Sequence, residues 1–134
     1  MKFLLDTHAL LWWLEDHQHL GARARNLIAD PANDILVSVV SLWEIVVKAR
    51  IGKLDADCKE VFRATERDGF VLLAIDLPHL LILGGLAMHH RDPFDHLLIA
   101  QAIAEGAAFI SEDRNVSRYP VEVIPCADPP PTPA

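Results

Sequence analysis

The sequence predicts an α/β protein, a three-layer α/β/α sandwich around a central parallel sheet. Three observations predict it. Short apolar runs alternate along the chain with longer segments of helical spacing. The runs are apolar at consecutive positions, as buried parallel strands are, instead of alternating apolar with polar. Polar residues (Asp6, Ser38 and the stretch from Ser111 to Asp113) stand where three runs end, and ligands of such sheets sit at that carboxyl edge.

The elements follow in order. Residues 2–5 read as a buried strand that delivers Asp6, and residues 7–15 as a helix. A second helix spans 21–29 and is stopped by Asp30-Pro31. Residues 35–38 form the second strand. Ser41 caps or opens a helix that runs to about Arg50 and closes at Gly52. Val61, Phe62 and Thr65 give residues 57–68 a helical spacing that ends at Gly69. Residues 70–75 read as the third strand, and 77–88 as a helix interrupted by Gly84-Gly85. Asp92-Pro93 is a strong helix start, with Asp as N-cap and Pro in the first turn; that helix runs to Gly106. Residues 107–111 and 121–124 supply the last two strands.

The 134 residues fit one domain, expected over 1–126, with a core of useful size. Five of the nine prolines fall after Val123, so residues 127–134 are expected to be a Pro-rich flexible tail. Cys58 and Cys126 show no paired spacing, which argues against a zinc module or disulfide framework and for a reduced cytoplasm. Asp6, His8 and Glu15 interrupt the apolar start too early for a signal peptide, and polar residues break the apolar stretch 69–88, so no membrane segment is expected. Nineteen acidic against twelve basic residues leave a net charge of −7. That excess argues against nucleic-acid binding through a broad basic surface. It does not exclude carboxylates gathered at one spot to hold cations.

Four acids are placed for such a spot: Asp6 after the first strand, Glu44 within an apolar helix, Asp95 in the first turn after Asp92-Pro93, and Asp113 after the fourth strand. Ser41, Glu44 and Lys48 share one helical stripe. Two carboxylates roughly 5 Å apart repel by about 3 kcal/mol at an effective dielectric of 20, so the set calls for cations or bound protons. Mg²⁺ suits oxygen ligands, and Mn²⁺ accepts similar ones. Such a metal assists hydrolysis of a phosphate ester.

Each acid also has a purely structural reading. Asp6 and Asp92 serve as helix caps, and Glu44 pairs with Lys48 on an exposed face. Asp95 favours the helix dipole, and Asp113 starts a turn. The functional case rests on the set. His89, His90 and His96 flank Asp92 and Asp95, but no HxxxH or HxH pattern makes them ligands. Trp12, Trp13 and Trp43 read as core or interface anchors. Arg23, Arg25, Lys48, Arg50 and Lys53 are a local basic excess suited to solvent or to phosphate.

Four motifs then occur in the order found in PIN-domain proteins. They are Leu4-Leu5-Asp6-Thr7-His8, the stretch from Ser38 through Ser41-Leu42-Trp43-Glu44-Ile45, Arg91-Asp92-Pro93-Phe94-Asp95-His96 with its continuation to Ala102, and Ile110-Ser111-Glu112-Asp113. The chain most resembles the VapC toxins of bacterial toxin–antitoxin pairs, from Phe3 to about Ile124. The resemblance implies a Mg²⁺- or Mn²⁺-dependent endoribonuclease that hydrolyses RNA phosphodiester bonds with metal-activated water. Its acids map onto Asp6, Glu44, Asp95 and Asp113, with Asp92 left as the cap. Asp6 and Asp95 are expected as the main metal ligands, with Glu44 and Asp113 acting directly or through water. Ser41 and Ser111 are expected to support them; Ser111 stands where many relatives have Thr. The resemblance further implies a homodimer and a VapB-like antitoxin that covers the groove and carries the DNA binding.

Two alternatives remain at this level. One is a PIN-type nuclease that processes RNA or DNA without a toxin role. The other is a receiver-like, Mg²⁺-binding signalling domain, although Asp6 stands alone and no Lys follows residue 59. A haloacid-dehalogenase-like phosphatase needs Asp-x-Asp, which Asp6-Thr7-His8 does not supply.

Overall fold

The computed structural model describes residues 1–129; most of the expected Pro-rich tail, 130–134, lies outside the described residues. Five parallel strands form one sheet: β1 (Lys2–Leu5), β2 (Asp34–Ser38), β3 (Val71–Leu73), β4 (Ala108–Ile110) and β5 (Val123–Ile124). Their order is β3-β2-β1-β4-β5. Receiver-type sheets run 2-1-3-4-5, so that alternative is excluded by topology. The helices are α1 (Thr7–Leu14), α2 (Ala22–Ala29), α3 (Val39–Arg50), α4 (Cys58–Arg67), α5 (Leu77–Gly84) and α6 (Pro93–Glu105). A 3₁₀ turn over Arg114–Arg118, which the sequence reading did not contain, follows β4.

The strands alternate their side chains between two cores, as the two-residue period requires. Phe3, Leu5, Ile35, Val37, Ala108 and Ile110 face one helical layer, packing with Leu10 of α1, Ile28 of α2, Ile45 of α3 and Val61 of α4. Leu4, Leu36 and Phe109 face the other, against Val40 of α3 and Leu98, Ile99 and Ala102 of α6. Both faces are covered, which is why consecutive strand residues are apolar.

Several boundaries differ from the sequence reading. The cap of α3 is Ser38, not Ser41. Ser38 Oγ accepts from Val40 N at 3.0 Å and donates to Gln101 Oε1, so the strand passes directly into the helix. Helix α5 ends at Gly84, where Gly85 takes over the last backbone bonds, and so stops short of Met88. Edge strand β3 is shorter than expected because only its β2 side is paired. Asp92 caps α6 as expected, accepting from Phe94 N and Asp95 N, and Gly106 closes that helix at φ +64°.

Helix α2 has no side-chain cap of its own, since Gly21 holds the N-cap position. Asp128 supplies one from the far end of the chain, accepting from Ala22 N at 2.9 Å and Arg23 N at 3.0 Å. These bonds hold its carboxyl below the ordinary value. Ala127 N donates to Glu112 Oε2 at 3.1 Å.

The order places the topological switch point at β1, which pairs with β2 on one side and β4 on the other. Crossovers leave in opposite directions there, and a crevice opens beyond the strand ends.

Candidate active site

That crevice is an open cleft of ≈ 370 Å³ lined by Asp6, Thr7, His8, Trp12, Glu44, Lys48, Asp92, Asp95, Glu112 and Asp113. All four acids singled out from the sequence lie in it. Each arrives from a different element: the end of β1, the middle of α3, the first turn of α6 and the loop after β4.

Asp6 is held from both sides. Its backbone N–H donates to Ile110 O, bridging β1 to β4, and its Oδ1 accepts from Ala9 N at 2.7 Å as the N-cap of α1. Asp6 is thus at once the cap of α1 and part of the cleft wall. Burial pushes its carboxyl above the ordinary 3.8, opposed by the hydroxyl of Ser111 and the Ala9 N–H. Ser111 is buried and also accepts from Asp113 N at 3.1 Å, so it braces two acids. Asp113 Oδ1 in turn accepts from Asn115 N, capping the 3₁₀ turn.

Glu44 is buried, at 3% exposure, so the exposed pair with Lys48 anticipated from the sequence is corrected. The pair forms, but only Lys48 reaches solvent. Glu44 Oε1 also accepts from Thr7 Oγ1 at 2.6 Å, so both its oxygens are engaged. The carboxylate beside Lys48 raises the ammonium above its ordinary value, with Asp92 and Asp95 adding to the effect. Ser41 is fully buried, and its Oγ has no partner among the described residues.

Asp95 is perturbed in the same direction as Asp6. Burial first, then Asp92, Asp6 and Asp113, push its carboxyl up to about 8. Four carboxylates on one edge therefore retain a proton, as like charges in a partly dry cleft must. Sequence reasoning missed two participants. Thr7 was quoted within a motif without a role, and its signal is the Asp-Thr step directly after a strand. His90 was passed over for want of a ligand spacing. Its Nε2 nevertheless lies 3.5 Å from Asp95 Oδ2 and 4.0 Å from Asp113 Oδ2. Asp6 and Glu44 stand outside that tight group. An oxygen-rich, half-buried donor set that holds a proton, beside a buried imidazole nitrogen with no partner among the described residues, fits a divalent cation.

Fold and site together define an α/β/α protein that collects carboxylates at a sheet switch point. The PIN-domain family model matches residues 3–122, and the chain belongs to that family, whose members are nucleases acting on nucleic acids. No curated protein matches in sequence. Solved structures share the fold. A chain of VapBC2 from Rickettsia felis, bound to a DNA fragment from its promoter, superposes with a TM-score of 0.72 at 17% identity, covering 93% of this chain and 98% of that one. DNA-bound VapBC from Salmonella typhimurium gives 0.68 at 16%, covering 95% and 99%. VapBC-5 from Mycobacterium tuberculosis, described as a member of the VapBC family of toxin–antitoxin systems, gives 0.59 at 18%, covering 95% and 98%.

Proposed function

We propose that this chain is a divalent-metal-dependent endoribonuclease and the toxin of a VapBC-type pair, acting in the cytoplasm. The observation that carries the reading is the convergence of Asp6, Glu44, Asp95 and Asp113 in one cleft, where Asp95 keeps a proton that a cation can replace. Asp6 and Asp95 are the main ligands for Mg²⁺ or Mn²⁺, with Asp113 and Glu44 completing the set directly or through water. When bound, such a metal polarises a phosphodiester and activates water. The chain's own residues do the positioning. Thr7 and Lys48 fix Glu44, and Ser111 steadies Asp6 and Asp113. Lys48, beside the cleft, is a cation for an approaching RNA phosphate.

Two surfaces support the proposed partners. Val71 of β3 and Leu77, Leu80 and Leu81 of α5 are apolar and exposed, with Leu81 at 71%, and this face suits a second copy of the chain. Leu42, Phe62, Phe70 and Leu72 line a groove between α3, α4 and β3, which suits the apolar face of an antitoxin helix. With a net charge of −7, DNA binding is assigned to the antitoxin. No helix among the described residues is long and apolar enough to cross a membrane.

The test compares wild type with Asp6→Asn on end-labelled RNA, with Mg²⁺ or Mn²⁺ and with EDTA. Asparagine is as good an N-cap as aspartate, so the fold is expected to survive. Wild type should cleave only with metal, leaving 5′-phosphate and 3′-hydroxyl ends, and the variant should not cleave. Full activity in the variant would defeat the reading. Growth arrest that needs Asp6 and is relieved by the neighbouring gene's product would establish the toxin role.

A further inference from the structure

His90 Nε2 is a buried polar atom for which the folded chain provides no hydrogen-bond partner among the described residues. Such atoms are few, the others among the described residues being Ser41 Oγ and His96 Nε2, and each calls for an explanation such as a bound ion or water. Its distances to Asp95 Oδ2 (3.5 Å) and Asp113 Oδ2 (4.0 Å) exceed an N–H···O hydrogen bond of roughly 2.7–3.2 Å. They suit donors that share one ion. With bonds of about 2.0–2.1 Å, octahedral geometry sets adjacent donors roughly 3 Å apart and opposite donors roughly 4.1 Å apart. All three donor atoms lie within 4.8 Å of one another.

The ring is also held in a pose that suits ligation. Nδ1 lies 2.9 Å from Tyr119 Oη, which accepts from His89 N at 3.0 Å, and Tyr119 is buried. The His96 ring packs edge-on against His90 at 4.7 Å. The contact admits either direction; in the tautomer with Nδ1–H donating to Oη, the Nε2 lone pair is directed at the two carboxylates, the usual arrangement for a ligating histidine. The other His-carboxylate group, Asp76, His79 and Glu105, differs. His79 Nδ1 accepts from Asp76 N and Nε2 meets Glu105 Oε2 at 3.2 Å, so its nitrogens already serve a capping box and a hydrogen bond to Glu105.

We propose that His90 is a metal ligand, joining Asp95 and Asp113 in an imidazole–carboxylate set that favours Mn²⁺ over Mg²⁺. The proposal rests on the metal-nuclease reading and names the cation. Mg²⁺ prefers oxygen and keeps its waters, whereas first-row transition ions accept imidazole nitrogen more readily.

The test loads the full chain with Mn²⁺ and records electron spin-echo modulation, which detects a coordinated ¹⁴N nucleus directly. Mn²⁺ and Mg²⁺ affinities are titrated alongside for wild type, His90→Gln and Asp95→Asn. Wild type is expected to show imidazole nitrogen modulation. His90→Gln should lose it and bind Mn²⁺ about tenfold or more weakly, with Mg²⁺ binding changed by less than about threefold. Asp95→Asn should weaken both ions. Urea unfolding in EDTA checks that the variants fold, and the wild-type spectrum decides the matter even if His90→Gln does not. Bound Mn²⁺ without nitrogen modulation, or modulation that persists in His90→Gln, overturns the assignment of His90 and leaves the metal site intact. Failure of wild type to bind either ion at millimolar concentration overturns the metal-nuclease reading as well.

Discussion

Replacing Asp95 with asparagine should stabilise the metal-free protein while abolishing the metal-dependent activity proposed for it. Burial and the neighbouring carboxylates hold Asp95 at about 8, against 3.8 for a free carboxyl. Between those values the folded chain keeps a proton that the unfolded chain has released. The stability tied to that proton is complete below 3.8 and is lost as pH rises through about 8. Each pH unit in the window costs the folded state about 1.4 kcal/mol. At pH 7 about three units have been crossed, which sets a ceiling of ~4 kcal/mol. The side chain keeps 18% exposure to the cleft, and solvent there screens part of the field. An expected gain of about 2 kcal/mol for the variant at pH 7 follows. The asparagine amide can donate to Asp113, so no new unpaired group is buried. Urea unfolding in EDTA from pH 4.5 to 8.5 is the assay. The two stability curves should converge at the acid end and separate as pH rises, with the variant above. Adding Mn²⁺ should raise wild type by more than it raises the variant. Parallel curves, or a variant less stable at pH 8, would refute the electrostatic account of the cluster.

Other outcomes follow from neighbouring contacts. Thr7→Val removes the hydroxyl that donates to Glu44 Oε1 at 2.6 Å; a loss of about 2 kcal/mol in urea unfolding is expected, with turnover reduced and Thr7→Ser restoring most of both. Leu81→Glu places a charge on the exposed apolar face of α5; light scattering should show a dimer becoming a monomer while the melting temperature holds. Cys126 is fully buried, and burial pushes its thiol up, whereas Cys58 is partly exposed. A thiol reagent should therefore modify one cysteine in the native protein and two in urea.

Much of the architecture was legible because it depends on short stretches of chain. The alternation of apolar runs with helical segments needs only the period of each window, and Asp92-Pro93 marks a helix start through contacts within three residues. The four acids could be singled out because a carboxylate at a strand end or inside an apolar helix is conspicuous locally. Ser41 was misjudged as a cap for the same local reason. A serine before an apolar helical run looks like an N-cap, but Ser38 starts the helix three residues earlier, tied to Gln101 63 residues away.

The sequence by itself determined the α/β class, the parallel sheet buried on both faces, and the edge at which the acids gather. It did so because periodicity and capping act over a few residues. Tertiary structure alone decided which atoms meet. Thr7 finds Glu44 across 37 residues, and Asp128 caps α2 across more than a hundred. His90 points at two carboxylates although no spacing in the chain announces it. Those meetings depend on strand order and on how α3 and α6 lie against the sheet. A carboxylate's protonation depends on them too, since charge is felt through space and not along the chain.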